Sequence, residues 1–180
     1  MAAVLAVAAI GSLAIGASGT SLWHALAKIV TGAPLTQLER VVLWDIRLPR
    51  LIMGICVGAA LAVSGAVMQG LFRNPLADPG IVGVGAGAGL GAIAAIVLAG
   101  LLPVALADAL GYYIVPAAAF LGGWGSTLLL YRVATRAGRT SVAMMLLAGI
   151  ALGALAGAVS GILVYMANDA QLRDLTFWGL

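Results

Sequence analysis

Charge is scarce in this sequence. Only 8% of the 180 residues are charged whereas 63% are hydrophobic, and the nine basic and six acidic side chains are confined to a few short intervals. Soluble globular domains carry about 25% charged residues, so water is not the main solvent of this chain. The composition therefore predicts an integral membrane protein. The net charge of +3 is too dispersed to predict a nucleic-acid-binding surface, which needs a clustered basic face.

Lysine, cysteine and histidine are each represented by a single residue. Lys28 is not part of a GxxxxGK[ST] motif, so the chain does not hydrolyse a nucleotide through a P-loop. Cys56 has no second cysteine, which excludes an internal disulfide and a cysteine-based metal site, and we expect a packed, unreactive thiol. His24 lacks partners at the spacing of metal ligands. We therefore expect no catalytic residue, no metal and no cofactor bound by this chain.

Five uncharged intervals are long enough to cross a bilayer, because a hydrocarbon core of about 30 Å requires about 20 apolar residues in a helix. The segments are too long, and alternate too little in polarity, for the strands of a transmembrane barrel. The sequence therefore predicts an all-α, polytopic membrane bundle that occupies residues 1–180 as a single region. The five predicted transmembrane helices cover residues 2–22, 51–71, 84–102, 113–131 and 141–167.

The polar interval before the second span is expected to contain a short helix at about 37–46 on the membrane surface. Thr36 and Glu39 have the spacing of a capping box, in which each residue satisfies the backbone N–H of the other. An apolar face follows them, as in helices that lie on a membrane surface. We expect the helix to end before Pro49, because the residue preceding a proline is disfavoured in the helical region.

Two prolines interrupt the apolar pattern directly after the second span. Residues 73–80 read RNPLADPG, and neither proline can continue a helix. Irregular backbone near membrane depth is tolerated only where protein or a water-filled cavity satisfies its polar groups. The turn is therefore a candidate wall of a transport pathway, with an ordinary polar loop as the alternative. Gln69, an amide near the end of the preceding span, faces either a headgroup or an aqueous cavity.

Glycine, with 25 residues, is patterned in two places. Residues 83–91 alternate glycine with apolar residues and fit a relaxed dinucleotide-binding pattern, but no strand is predicted before them, so we interpret these glycines as sites of close helix packing. In the fifth span, four glycines spaced four residues apart form a ridge that predicts close packing or a pore-facing surface. The ridge consists of Gly149, Gly153, Gly157 and Gly161.

Basic residues do not settle the topology, because the positive-inside comparison is nearly a tie. One side of the predicted bundle has four basic residues and the other has five. The arginines on one side must then be present for a reason other than topology, and binding of an acidic partner is the candidate. The two sets are Arg73, Arg132, Arg136 and Arg139 on one side, and Lys28, Arg40, Arg47, Arg50 and Arg173 on the other.

Three blocks closely resemble the permease subunits of ABC importers for iron chelates, haem and cobalamin, the FecCD type. They are RLPR at 47–50, VGAALAVSGAVMQGLFRNPLADPGIVGVGAGAG at 57–89 and RTSVAMMLLAGIALG at 139–153, and the resemblance extends from about Trp44 onward. It implies a subunit of ten transmembrane helices, of which this chain supplies the first five. We therefore expect a fragment or a truncated reading frame.

The resemblance also implies the partners and the location. Two permeases, expected to be a homodimer, surround a central pathway in the bacterial inner membrane. Two ATPase subunits, which bind ATP and Mg²⁺, lie on the cytoplasmic side, and a substrate-binding protein docks from the periplasm. The permease itself performs no covalent chemistry in this arrangement.

The same resemblance implies roles for individual residues. The arginines that match Arg47 and Arg50 meet glutamates of the binding protein on the periplasmic face. The helix that matches 141–167 lines the pathway, where Gln69 and the glycine ridge are candidate pathway or packing residues. Two elements are expected to form the cytoplasmic gate, and their residues are Asn74, Pro75, Leu76, Pro79, Thr140 and Ser141.

The implied function is import of an iron complex, haem or a ferric siderophore, by alternating access. A cobalamin importer of the same family is the alternative, although the tail LRDLTFWGL at 172–180 is more similar to haem-type members. An ion-coupled secondary transporter would need ionisable groups within the predicted spans, which contain none. A structural assembly factor would account for the glycines but not for the RNPLADP turn.

Overall fold

The described part of the chain is almost entirely helical, which confirms the predicted fold class. A computed structural model describes residues 2–16 and 18–180, which form nine α-helices and one two-stranded hairpin. The helices are α1 Ala2–Ala14, α2 Leu22–Val30, α3 Gln37–Arg40, α4 Leu48–Phe72, α5 Val84–Leu98, α6 Val104–Leu110, α7 Ile114–Ala134, α8 Val142–Met166 and α9 Asp169–Gly179. The hairpin strands are β1 Thr135–Arg136 and β2 Arg139–Thr140.

Short segments of other helical types connect these elements. A π-helical segment, Val41–Arg47, joins α3 to α4. Three 3-10 segments lie at Pro79–Val82, Ala99–Leu101 and Gly111–Tyr113. Within the described residues, four continuous helical stretches are long and apolar enough to cross a membrane, and each overlaps one of the five predicted spans. These stretches are Gln37–Phe72, Val84–Leu101, Val104–Ala134 and Val142–Met166.

The first predicted span, 2–22, is not one continuous helix. α1 ends at Ala14, and a new helix begins at Leu22. Between them Gly19 has a φ of 66°, a left-handed conformation that glycine adopts without a steric penalty. Ser21 then accepts a hydrogen bond from the backbone N–H of His24 at the start of α2. The sequence carries a signal for this interruption, because Ser18-Gly19 is a turn dipeptide and Ser21 is a preferred N-cap residue.

The predicted capping box at α3 is confirmed. Glu39 N–H donates to Thr36 Oγ1 at 3.2 Å, and Thr36 N–H donates to Glu39 Oε2 at 2.8 Å. Lys28 Nζ also donates to both carboxylate oxygens at 2.9 Å, which ties α2 to α3. The Lys28 ammonium and the Thr36 N–H lower the pKa of Glu39 from 4.5 to about 2. This stabilisation is present above pH 4.5 and is lost as the pH falls towards 2.

The expected helix end before Pro49 is wrong. Residues Gln37–Phe72 form one continuous helical stretch of 36 residues, with Pro49 at the second position of α4. In the preceding π-helical segment, Leu48 N–H donates to Leu43 O, one residue further back than in an α-helix. A π turn widens the helix. The helix tolerates the proline there because this wider turn displaces the carbonyl that its ring would otherwise strike.

The chain divides into two compact units, residues 1–64 and 65–180. In the first unit, the buried residues come from α2 and the π-helical segment, and include Ala25, Val42 and Leu43. The α4 side chains do not contribute to this core, because none of them is buried. Cys56 is consequently exposed, so the expectation of a packed thiol is wrong.

In the second unit, α5 packs backbone against backbone on α7. A methyl group at Gly87 would lie 2.6 Å from the carbonyl oxygen of Gly122, and one at Gly91 would collide with the Ala118 carbonyl. Gly85 and Gly89, on the same helix, have no such neighbour within 4 Å. The close packing predicted for this glycine run is therefore confirmed at Gly87 and Gly91 and not at the alternate positions.

Replacing Gly91 by leucine should destabilise the protein, whereas Gly89→Leu should not. The side chain at position 91 must displace the α7 backbone, and overpacking of this kind costs about 1–3 kcal/mol or more. Thermal unfolding of the purified full-length permease, followed by tryptophan fluorescence, measures the difference. Equal unfolding temperatures for the two variants would show that α5 and α7 are not in backbone contact.

Candidate transport gate

The polar turn at 73–80 and the β-hairpin at 135–140 project from one apolar cluster in the second unit. Val82 follows the turn, whereas Ala134 and Met145 flank the hairpin, and all three are buried together. The cluster therefore holds both predicted gate elements at the same end of this unit. Its buried members are Val82, Leu130, Ala134 and Met145, with Met68, Phe72, Ala148 and Leu152 packed against them.

The turn begins with a tightly closed end of α4. Arg73 has a φ of 48°, and its N–H donates to Gly70 O at 3.3 Å. Asn74 N–H donates to Gln69 O at 3.1 Å, which completes the pair of bonds of a Schellman motif. These bonds satisfy the carbonyls of Gln69 and Gly70 near the end of α4, and the Gln69 side chain is exposed. Its role in the pathway stays a prediction.

Two successive Asn-Pro and Asp-Pro turns then fix the backbone. Asn74 Oδ1 accepts a hydrogen bond from Leu76 N–H at 2.9 Å, and Asp78 Oδ1 accepts one from Gly80 N–H at 2.6 Å. In both turns the residue before the proline binds the amide just after it, a local bond typical of Asn and Asp. Pro75 and Pro79 also hold two φ angles. These bonds and angles restrain the backbone of the turn, and the apolar side chain of Leu76 is 87% exposed.

The hairpin places Thr140 and Ser141 at the start of α8. Ala137 and Gly138 have φ values of 50° and 73°, as in the two-residue turn that matches the twist of paired strands. Thr135 and Thr140 share a hydrogen bond between their hydroxyls at 2.9 Å. Ser141 caps α8 by accepting a hydrogen bond from Met144 N–H at 3.4 Å. Both Thr140 and Ser141 are exposed.

Only one residue of the predicted glycine ridge packs closely against another described segment. Gly149 is buried, and its carbonyl oxygen lies 3.2 Å from where a methyl group at Gly83 would stand. Gly83, with a φ of 75°, begins α5 at this contact. A side chain at Gly153, Gly157 or Gly161 would meet no atom within 4 Å. A pathway or packing role for these three residues stays a prediction that requires a neighbour outside this chain.

The two predicted docking arginines occupy different environments in the first unit. Arg47 is 6% exposed, and its guanidinium donates to Leu13 O at 2.6 Å, Ala14 O at 3.4 Å and Ser18 Oγ at 3.2 Å. It therefore caps the C-terminus of α1, where unpaired carbonyls carry partial negative charge. Arg50 is exposed. A docking role stays a prediction for both residues, and the exposed Arg50 suits it better.

Gln171 of α9 is a bridging residue that was not predicted from the sequence. Gln171 and Asn168 form a capping box, since Gln171 N–H donates to Asn168 Oδ1 and Asn168 N–H donates to Gln171 Oε1, both at 3.0 Å. Gln171 Nε2 also donates to Val97 O at 3.0 Å and to Ile96 O at 3.3 Å. One amide thus caps the beginning of α9 and the end of α5. The N-x-x-Q spacing reveals the first role, but nothing in the sequence reveals the second.

Long apolar helices, together with a proline-fixed turn at the end of a helical unit, define a multi-pass membrane protein. The FecCD transport family matches residues 4–180. The chain belongs to this family, as the RNPLADPG block indicated. The family is one of transport proteins and not of enzymes.

Individual relatives support the assignment. The hemin transport system permease protein HmuU of Yersinia pestis is 43% identical over 136 residues, which cover 76% of this chain and 39% of the relative. The cobalamin import system permease protein BtuC of Halobacterium salinarum is 38% identical over an alignment 191 residues long. This alignment covers 97% of this chain and 49% of the relative. This chain therefore spans about half or less of the length of these curated relatives.

A solved structure described as an inward-facing conformation of a metal-chelate type ABC transporter has the same fold. It superimposes with a TM-score of 0.73 and 30% sequence identity over 98% of this chain and 50% of that chain. This chain therefore corresponds to about half the length of that transporter chain.

Replacing Arg47 by methionine should loosen the end of α1, whereas Arg50→Met should leave it unchanged. The methionine is of similar length but leaves the carbonyls of Leu13 and Ala14 without their donor, at a cost of about 1–3 kcal/mol. Hydrogen–deuterium exchange of the full-length permease measures this as faster exchange in the last turn of α1. Unchanged exchange in Arg47→Met would refute the capping role.

Proposed function

We propose that this chain forms the first half of a permease subunit of an ABC importer for a bulky metal chelate. Membership of the FecCD family supports the class, and the relatives that transport hemin and cobalamin support the substrate type. We favour an iron complex, haem or a ferric siderophore, with cobalamin as the alternative. The bacterial inner membrane is the expected location.

The observation that carries this proposal is the exposed Leu76 on a rigid turn. This large apolar side chain, 87% exposed on a polar loop, buries little surface against the described part of the chain. Set opposite the same residue of a second permease, it closes a passage by excluding water. Thr140 and Ser141 project from the same end of the second unit and form the second constriction.

The proposed mechanism is alternating access. A loaded binding protein docks on the periplasmic face, and two ATPase subunits use ATP and Mg²⁺ to drive two permeases, which we propose are identical, between outward-open and inward-open states. The chain itself contributes a pathway wall, a gate and a docking surface. A wall without strongly binding groups is suitable for a bulky chelate, because tight binding would slow its release.

Cysteines at the gate should change their reactivity during the transport cycle. We expect Leu76→Cys and Ser141→Cys, each in a Cys56→Ala background of the complete transporter, to be labelled by a membrane-impermeant thiol reagent at rates that depend on ATP and the binding protein. The reason is that closing the passage excludes water and reagent. Removing Cys56 is necessary because its thiol is exposed.

Gln37→Cys is the matched control, since Gln37 is exposed at the start of α3, far in sequence from both gate elements. Its labelling from the cytoplasmic side should not respond to nucleotide. Identical labelling of positions 76 and 141 in every nucleotide state would show that neither element moves with the cycle, and the gate assignment would be wrong.

Reversing the charge of Arg50 should weaken docking of the binding protein. Arg50→Glu places like charges across the contact, and we expect at least roughly a tenfold loss of affinity at low salt. A compensating Glu→Lys change on the binding protein should recover part of it. We test Arg50 alone, because Arg47→Glu would also break the cap of α1. Surface plasmon resonance on the reconstituted transporter measures the affinity, and an unchanged value at low salt would contradict the proposal.

A further inference from the structure

The tip of the hairpin carries two arginines directly opposite one another. Arg136 pairs with Arg139 across the strands, and Thr135 pairs with Thr140. Successive residues of a strand point to opposite faces, so both arginine side chains leave the ribbon on the face opposite to the bonded threonine hydroxyls. Directly opposite Cβ atoms in such a ribbon lie about 5 Å apart. Two guanidinium groups can therefore reach one anion on this face.

This arrangement is unfavourable for the isolated chain. Like charges placed directly opposite each other destabilise a strand pair. Ala137, between them in the turn, has a φ of 50°, a left-handed conformation that costs a residue with a side chain about 1–2 kcal/mol. Both arginines are exposed, and among residues 2–16 and 18–180 the only ion pair is between Lys28 and Glu39. The hairpin thus presents two guanidinium groups that no carboxylate of the described chain neutralises.

The position of the hairpin relative to the membrane indicates which anion the two arginines would bind. α7 ends at Ala134 and α8 begins at Val142, and both belong to stretches that are able to cross a membrane. The hairpin is joined to both helices without a spacer, which places its arginines within a few residues of the hydrocarbon boundary. Tyr131, 58% exposed in the last turn of α7, is typical of the aromatic belt at this depth. Long arginine side chains at helix ends reach the headgroup region.

We propose that Arg136 and Arg139 form a clamp for the phosphodiester group of an anionic phospholipid. Guanidinium groups bind phosphate oxygens in a planar, bidentate geometry. The negative charge of a bound phosphodiester would compensate the repulsion between the two arginines of the hairpin. The lipid would stabilise the hairpin from the face opposite to Thr140, so it would not occupy the proposed gate. The inference depends only on the membrane-spanning helices and not on the transported substrate.

Native mass spectrometry of the full-length permease tests this clamp. The protein is incubated with an equimolar mixture of phosphatidylglycerol and phosphatidylcholine, and the retained lipids are counted. We expect wild type to prefer phosphatidylglycerol, and Arg136→Gln and Arg139→Gln each to reduce that preference by roughly five-fold. Arg173→Gln, an exposed arginine on α9, is the matched control and should retain the full preference.

Two further measurements complete the test. One distinguishes a lipid phosphate from a free phosphate ion, and the other distinguishes loss of binding from loss of folding. Inorganic phosphate at millimolar concentration should not displace the lipid, and displacement would mean that a free anion occupies the site. Arg136→Lys with Arg139→Lys keeps the charge and should retain part of the preference even if a glutamine variant folds poorly. An unchanged preference in both folded glutamine variants would overturn the proposal. If wild type shows no lipid preference and the glutamine variants lose association with the ATPase, the proposal would be overturned in favour of a protein partner.

Discussion

The backbone groups that a helix leaves open at its ends must find partners within the protein, because lipid supplies none. This requirement explains the irregular parts of the fold better than hydrophobic burial does. The guanidinium of Arg47 satisfies the end of α1, and the amide of Gln171 satisfies the end of α5. Asn74 and Asp78 bind the amides of the polar turn, and Ser141 binds those of α8. A side chain of the chain itself closes each of these helix ends and turns, whereas backbone bonds from Arg73 and Asn74 close the end of α4.

The same constraint makes the polar turn suitable as a moving part. Five of its amides are bonded locally, so in the proposed gate the turn would keep its shape if the helices around it shift. A gate of this type moves as a rigid body and does not have to fold and unfold during each cycle. The apolar cluster of Val82, Leu130, Ala134 and Met145 links the turn to the hairpin, so in the proposed gate a shift of α8 would reach both elements.

The sequence predicted the features that depend on local chemistry. Uninterrupted apolar runs predicted the positions of four long helical stretches, although two of these, Gln37–Phe72 and Val104–Ala134, begin well before the predicted spans. The two prolines of RNPLADPG predicted the turn. The Thr36 and Glu39 capping box was predicted for the same reason, since its bonds span only three residues. The RNPLADPG block also identified the family, which composition alone does not do.

Features that depend on distant contacts were not predictable. The π-helical turn that accommodates Pro49 has no signature in the sequence, and the burial of Arg47 depends on a helix end 33 residues earlier in the chain. Glycine spacing predicted close packing or a pore-facing surface in α8, and within the described chain three of the four ridge residues have open space. The tightest contact is instead between α5 and α7, because only the fold decides which glycine faces another backbone. Docking, gating and substrate choice depend on neighbours that this chain does not contain.

The central claim is that the polar turn is a rigid gate at the interface of two permeases. The most direct measurement is the distance between spin labels on Leu76→Cys in the two subunits of the complete transporter, by double electron–electron resonance. The account predicts a narrow distribution in each state, because the turn is locally fixed, and a shift of several ångströms between the nucleotide-free and ATP-bound states. One broad distribution that is the same in all states would contradict it.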